Sequence, residues 1–145
     1  MPLYHILGGE FEMGDLKAIR IYGGTFWGCK NKGYLSLPDK KTRAKIRKKL
    51  AQILKLNGFS AIEVRFVNYG VDSGPGITIP LTESTLVIGA WPERRSRVEF
   101  FLHFCGEGKE EGAIQVGREL CKELEADCFV PSPLTLDGPA VFTYV

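Results

Sequence analysis

Only two segments of this 145-residue chain space their apolar residues as a helix does, and the other apolar segments are typical of strands. We expect the first helix to begin at Asp39, a favoured N-terminal cap, and to end at Asn57 and Gly58. The second helix is expected near residues 110–126. The strands predicted around these helices are 3–7, 16–27, 60–69, 77–81, 84–90, 98–105 and one within 140–145.

Short links between consecutive strands predict an antiparallel sheet. With both helices on one face of that sheet, the expected fold class is α+β, a two-layer sandwich. The length suits one domain, and we expect residues 1–145 to form a single one.

The strand expected at residues 98–105 carries large side chains on both of its faces. Phe100 and Phe104 would point to one side of the sheet, because alternate residues of a strand share a face. The other side would carry Phe101, His103 and Cys105. A sheet with bulky apolar groups on both faces needs cover on both, which favours a homodimer.

Composition and charge exclude several classes of protein. The net charge of +2 does not by itself indicate a nucleic-acid partner. No secretory signal and no run of about 18 apolar residues is present, so we expect a cytoplasmic protein that does not enter a membrane. The four cysteines and two histidines lack the spacing of metal ligands, so no metal site is expected.

The first helix is strongly basic and has two interpretations. It could bind nucleic acid through its charges, or its charged side could simply face water. No aromatic residues are interleaved with the charges, so a solvated face is favoured and a nucleic-acid partner is not expected. The basic residues are Lys40, Lys41, Arg43, Lys45, Arg47, Lys48, Lys49 and Lys55.

The most informative segment opens with Glu83-Ser84 and continues to Trp91-Pro92-Glu93, and the next strand ends in Cys105-Gly106. In this order and spacing, the segment resembles the small prokaryotic S-adenosylmethionine decarboxylases. The resemblance extends over roughly residues 16–126. Each motif alone is weakly specific, and their order and spacing together indicate the family.

The resemblance implies an enzyme that cuts its own chain to make a pyruvoyl cofactor. In the family, the serine hydroxyl attacks the carbonyl of the preceding glutamate, and elimination then leaves a pyruvoyl group at the serine position. Here the attacking group would be Ser84, and the bond between Glu83 and Ser84 would break. The pyruvoyl ketone bonds to the substrate amine and withdraws electrons, so that carbon dioxide can leave. The implied substrate is S-adenosylmethionine, in the biosynthesis of polyamines such as spermidine.

The resemblance also implies roles for three further residues. Cys105 would return a proton to the substrate carbon, and a thiol with an ordinary pKa of about 8.5 is mostly protonated at neutral pH. Glu93 would bind the ribose hydroxyls of the substrate, since a carboxylate can accept two such hydrogen bonds. Trp91 would lie in the same substrate-binding region.

Two positions depart from the family pattern. The histidine that assists self-cleavage in the family is Gly89 here, and the histidine that commonly follows the serine is Thr85. His103 could take over the missing role, because it lies two residues before Cys105 and would share its face of the sheet.

Three functions therefore remain open. The chain could be a pyruvoyl-dependent decarboxylase of S-adenosylmethionine, or of another amino acid such as arginine or ornithine. It could instead be an uncleaved, non-catalytic relative that binds a nucleoside-like ligand. The third possibility is a basic binding module that acts through the helix at residues 39–56.

Overall fold

The computed structural model describes residues 3–6, 9–12, 19–68, 75–82, 84–105, 108–132 and 134–136, and within these ranges it contains nine strands and two helices. In chain order these are β1 Leu3–Ile6, β2 Gly9–Glu12, β3 Ile19–Trp27, α1 Lys40–Leu56, β4 Arg65–Asn68, β5 Pro75–Pro80, β6 Ser84–Trp91, β7 Arg97–Cys105, α2 Glu110–Glu123, β8 Cys128–Pro131 and β9 Leu134–Leu136.

Seven of the described strands form one sheet in which all neighbours are antiparallel. The order across this sheet is β4-β5-β6-β7-β3-β8, and β9 also pairs with β3. Strands β1 and β2 form a separate two-stranded sheet. The longest pairings are those of β7, which lies between β6 and β3. Strand β7 therefore sets the register of its two neighbours.

Both helices cover the same face of the large sheet, which confirms the predicted two-layer α+β sandwich. Alternate residues of β7, from Val98 to Phe104, are buried beneath the helices, and the residues between them are not. Helix α1 contributes four buried residues and α2 another four to the same core. These residues are Ile46, Leu50, Ile53, Leu54, Ala113, Val116, Gly117 and Leu120.

Helix α1 begins and ends where the sequence predicts. The Asp39 carboxylate accepts a hydrogen bond of 2.7 Å from the backbone N–H of Thr42, and this bond lowers the pKa of Asp39 below its ordinary value. At the other end, the backbone N–H of Asn57 donates to Leu54, and the Asn57 side chain donates to Ile53 at 2.8 Å. Gly58 follows with a φ of 88°, a conformation that favours glycine.

Several strand predictions need correction. The strand predicted at 60–69 is shorter, because β4 spans only Arg65–Asn68 and the segment before it makes a single bridge, between Ala61 and Leu81. Strands β2, β8 and β9 were not predicted, and helix α2 ends at Glu123, earlier than expected. The strand predicted within 140–145 lies outside the described residues.

Neither of the described helices is long and apolar enough to cross a lipid bilayer.

Helix α2 approaches the sheet most closely at Gly117. A Cβ atom added there would lie 3.0 Å from the Tyr22 ring, 3.2 Å from the Phe100 ring and 3.3 Å from the Phe129 ring. These rings belong to an aromatic cluster in which Phe26 stacks on both Phe100 and Phe129, with centroids 5.3 and 4.6 Å apart. The absence of a side chain at position 117 therefore sets the distance between the two layers.

We predict that Gly117→Leu lowers the free energy of unfolding by about 1–3 kcal/mol, because the added atoms have no space between the helix and the aromatic rings. Chemical denaturation followed by circular dichroism measures this change. Arg118→Leu is the matched control, since the next residue is exposed and should accept leucine with little effect. Equal stability of the two variants would contradict the close packing at Gly117.

Candidate active site

Ser84 is the first residue of β6 and follows directly on the tight turn from β5. Three residues, 81–83, connect the two strands, and the backbone N–H of Leu81 donates to the carbonyl of Ser84 at 2.9 Å. The backbone N–H of Thr82 donates to the Ser60 carbonyl at 3.1 Å, which ties the turn to the segment after α1. The bond predicted to break thus adjoins this turn, although Glu83 itself lies outside the described residues.

The side chain of Ser84 points toward the helix-covered face of the sheet. Ser84 pairs with Phe104 and precedes Leu86 by two residues, and both partners are buried on that face. Ser84 is half-buried there and lines a pocket of about 270 Å³. The other lining residues are Gly58, Phe59, Ser60, Leu81, Thr82 and Lys109.

His103 and Cys105 lie on the opposite, open face of the sheet. Both are half-buried and alternate along β7 with the buried residues Leu102 and Phe104, as the sequence predicted. His103 pairs with Thr85 of β6 across the sheet. Ser84 is therefore close to both residues in the backbone of the sheet, because its strand partner Phe104 lies between them. Its side chain, however, is on the opposite face.

Trp91 and Glu93 lie at the far end of β6. Trp91 is seven positions after Ser84 along the strand, which corresponds to about 23 Å at roughly 3.3 Å per residue. Glu93 is exposed in the turn that follows. The two residues predicted to bind substrate are thus not brought to Ser84 within one chain.

Trp91 belongs to an aromatic and cationic cluster at that end of the sheet. The guanidinium of Arg97 lies 5.6 Å from the Trp91 ring centroid and 5.5 Å from that of Trp27, and Arg94 lies 5.7 Å from Trp91. Arg97 also forms an ion pair of 3.3 Å with Glu99. Cation–π contacts of this kind hold the exposed Trp91 ring in place.

Gly89, which stands where the family has a histidine, lies on the open face. It pairs with Gly76 on one side and Glu99 on the other. A Cβ atom added to Gly89 would meet no atom within 4 Å. The fold therefore has space for a larger side chain at this position.

The four cysteines are free thiols that differ in how far they are buried. Cys29 is buried, and burial raises the pKa of its thiol to about 11, so this group stays protonated at neutral pH. Cys128, by contrast, is exposed. Within the described ranges, no group of three or more His, Cys, Asp or Glu residues could hold a metal ion.

The basic residues of α1 lie on the side of the helix that faces away from the core. Arg43 is half-buried and the other seven are exposed. Arg47 packs over the Phe66 ring at 5.0 Å. This placement agrees with the favoured interpretation of a solvated face.

Among the described lining residues of the Ser84 pocket, Lys109 is the one with a charged side chain. It was not identified as a site residue from the sequence. It is 25 positions from Ser84 along the chain and belongs to none of the motifs. Only the packing of the start of α2 against the turn before β6 brings the two residues to one pocket. A lysine directly before a predicted helix is too common a feature to have indicated this.

Comparison with known proteins identifies the fold and no closer relationship. No protein-family model matches the chain, and no curated protein matches it. Among solved structures, the chain is similar to the crystal structure of the adenosylmethionine decarboxylase from Aquifex aeolicus VF5, with a TM-score of 0.60 and 13% sequence identity. The match covers 89% of this chain and 96% of that one. The two proteins share a fold over nearly their whole lengths.

Proposed function

We propose that this protein is a pyruvoyl-dependent decarboxylase of S-adenosylmethionine, which cuts its own chain between Glu83 and Ser84 and serves polyamine synthesis. One observation carries this proposal. On a fold shared with an adenosylmethionine decarboxylase, a Glu-Ser pair stands where a tight turn opens a strand that leads to Trp-Pro-Glu. A fold alone does not imply a function, so the proposal depends on this placement of Ser84.

The surroundings of Ser84 fit a pyruvoyl group. That group would form from Ser84 itself, and the adjoining pocket of about 270 Å³ is large enough for a three-carbon unit and part of a substrate. A pyruvoyl group supplies an electron sink for the loss of carbon dioxide from a bound amino acid. The pyruvoyl group would remain attached to the chain at the start of β6, between the turn and the pocket.

Cleavage would also change the freedom of residue 84. In the intact chain the turn holds Ser84, through the 2.9 Å bond between its carbonyl and Leu81. Once the preceding peptide bond is cut, residue 84 is a chain end that can rotate about its backbone toward the open face. Cys105 lies on that face, beside the strand partner of Ser84, and its thiol would deliver the proton to the substrate carbon.

A homodimer would bring the remaining substrate-binding residues to the site. Glu93 lies more than the length of β6 away from Ser84, so a substrate cannot contact both within one chain. The open face also exposes an apolar side chain at its centre, since 53% of Phe101 is accessible. We propose that two chains associate through their open faces and that Glu93 acts on the site of the partner.

The second candidate is an uncleaved relative that binds a nucleoside-like ligand without catalysis. Gly89 supports this alternative, because it removes the histidine that assists cleavage in the family. A decarboxylase of arginine or ornithine would share the cleavage step and differ in the substrate.

We predict that the purified protein consists of two fragments that meet between Glu83 and Ser84. Intact-mass spectrometry would show the second fragment starting with a pyruvoyl group. Ser84→Ala should remain a single chain, because no ester can form without the hydroxyl. It should also remain folded, since the Ser84 hydroxyl makes no hydrogen bond to another described residue. An uncut wild-type chain, or a Ser84→Ala chain cut at the same bond, would contradict the proposal.

We predict that Gly89→His accelerates self-cleavage, because a histidine fits there without steric conflict and moves protons near neutral pH. A missing general acid or base typically costs about 10²- to 10⁴-fold in rate, so the wild type should cut itself slowly. The measurement is the fraction of cut chain against time after synthesis.

Val87→His, two residues before Gly89 on the same open face, is the matched control for an added imidazole and should cleave as the wild type does. His103→Ala should slow cleavage only if His103 acts from the partner chain or through a rearranged turn. Cleavage at the wild-type rate in Gly89→His would show that the histidine at this position is not what limits the reaction.

We predict that Phe101→Arg converts the homodimer to a monomer at micromolar concentration, because a charge at the centre of an apolar interface is costly to bury. Sedimentation velocity measures the change. Leu56→Arg is the control: 72% of this leucine is accessible, but it lies on the helix layer. A wild-type monomer, or a dimer that Leu56→Arg disrupts instead, would show that the open face is not the interface.

A further inference from the structure

We infer that Lys109 is a catalytic residue of self-cleavage in this chain, which has Gly89 where the family has a histidine. Its ammonium group would stabilise the oxyanion that forms when the Ser84 hydroxyl attacks the Glu83 carbonyl. This inference rests on the proposed function, because it concerns the reaction that makes the pyruvoyl group.

The pocket beside Ser84 contains one titratable side chain among its described lining residues, and this is Lys109. The others are glycine, apolar or hydroxyl residues. A negative charge that develops next to Ser84 would therefore border a pocket of about 270 Å³ whose described lining carries one positive charge, the ammonium of Lys109. Preorganised positive groups of this kind are the usual source of oxyanion stabilisation in acyl transfer.

The side chain of Lys109 is held in position by two contacts. Its ammonium donates a hydrogen bond of 3.0 Å to the carbonyl of Gly58, and it lies 5.1 Å from the centroid of the Phe59 ring. Both partners also line the pocket. A lysine ammonium has three N–H donors, so after the bond to Gly58 two remain for an oxyanion in the pocket.

The N-terminus of helix α2 also contributes to the electrostatic field at Lys109. Lys109 is the N-terminal cap residue of α2, a helix of 14 residues, and its side chain makes no capping bond. The positive end of the α2 dipole therefore starts at the residue that supplies the ammonium. The carboxylates of Glu110 and Glu111 in the first turn of α2 oppose the field of the helix end, so the inference depends on the ammonium of Lys109 itself.

The other titratable groups considered for this role lie elsewhere. His103 is on the open face, whereas Ser84 points toward the helix-covered face. Glu93 is at the far end of β6. Lys109 is thus the group that the fold brings to the face from which the Ser84 hydroxyl would attack.

The reaction balances with water as the one added reactant. The Ser84 Oγ bonds to the Glu83 carbonyl carbon, the C–N bond breaks, and the hydroxyl proton ends on the released nitrogen, giving an ester. Loss of the Ser84 Cα proton then breaks the Cβ–Oγ bond, which leaves a carboxylate on Glu83 and dehydroalanine at position 84. Tautomerisation, addition of one water and loss of ammonia produce the pyruvoyl group. Lys109 would act on the oxyanion of the first step.

The test is the rate of ester formation in Lys109→Met compared with wild type. Hydroxylamine splits the ester as it forms, so intact-mass spectrometry of chains incubated with it counts first-step events separately from elimination. We expect Lys109→Met to lower this rate by about 10²- to 10³-fold, the usual effect of removing an oxyanion donor. Lys109→Arg should retain most of the rate, because it keeps the charge. Ethylammonium added to Lys109→Ala should restore part of it.

Lys122→Met is the matched control, since this lysine lies near the opposite end of α2 and does not line the pocket. It should cleave as the wild type does. Restoration by ethylammonium separates a chemical role from a structural one, because a misfolded pocket would not regain its rate with a small amine.

The outcomes distinguish this inference from the proposed function. If the wild type is cut and Lys109→Met forms ester at the same rate, the role of Lys109 is wrong while the proposed function stands. The same holds if Lys109→Arg and ethylammonium both fail to restore the rate. If the wild type never forms an ester with hydroxylamine present, the proposed function is wrong and the inference fails with it.

Discussion

The alternation of side chains along β7 is the constraint on which the rest of this structure depends. Val98, Phe100, Leu102 and Phe104 are almost fully buried beneath the two helices, while the residues between them face the open side. A slip of one residue in register would exchange the two sets and bury His103 and Glu99 in place of two aromatic rings. Because β7 pairs with both β6 and β3, this alternation also determines where the residues of the candidate site point.

The same alternation divides the candidate site between two faces of one sheet. Ser84 and Lys109 lie on the helix-covered face, and His103 and Cys105 lie on the open one. Under the proposed function, making the cofactor and using it would be separate reactions with different surroundings. The proposed cleavage would use the pocket of about 270 Å³ and its positive group, whereas decarboxylation would need room for a substrate. Residue 84, the first residue of β6, is the position that would take part in both proposed reactions.

The sequence predicted those features that depend on local patterns. Helix α1 has a capping Asp39, a regular apolar stripe and a glycine stop, so both of its ends were found. The shared face of His103 and Cys105 follows from their spacing alone. By contrast, β8 and β9 are short and adjoin prolines, and they are strands only because both pair with the edge of β3. The pocket of Ser84 and Lys109 arises from packing between distant segments, which no local pattern encodes.

The cluster around Arg97 determines which part of the molecule the intrinsic tryptophan fluorescence reports on. Trp27 and Trp91 are the two tryptophans of the chain, and both rings lie against the same guanidinium. Their fluorescence therefore samples one end of the sheet. A ligand that reaches the turn carrying Glu93 would alter the emission of the exposed Trp91 ring. Within one chain, Ser84 is about 23 Å away along β6, so events at Ser84 would reach this signal only across the proposed dimer or through a rearrangement of the sheet.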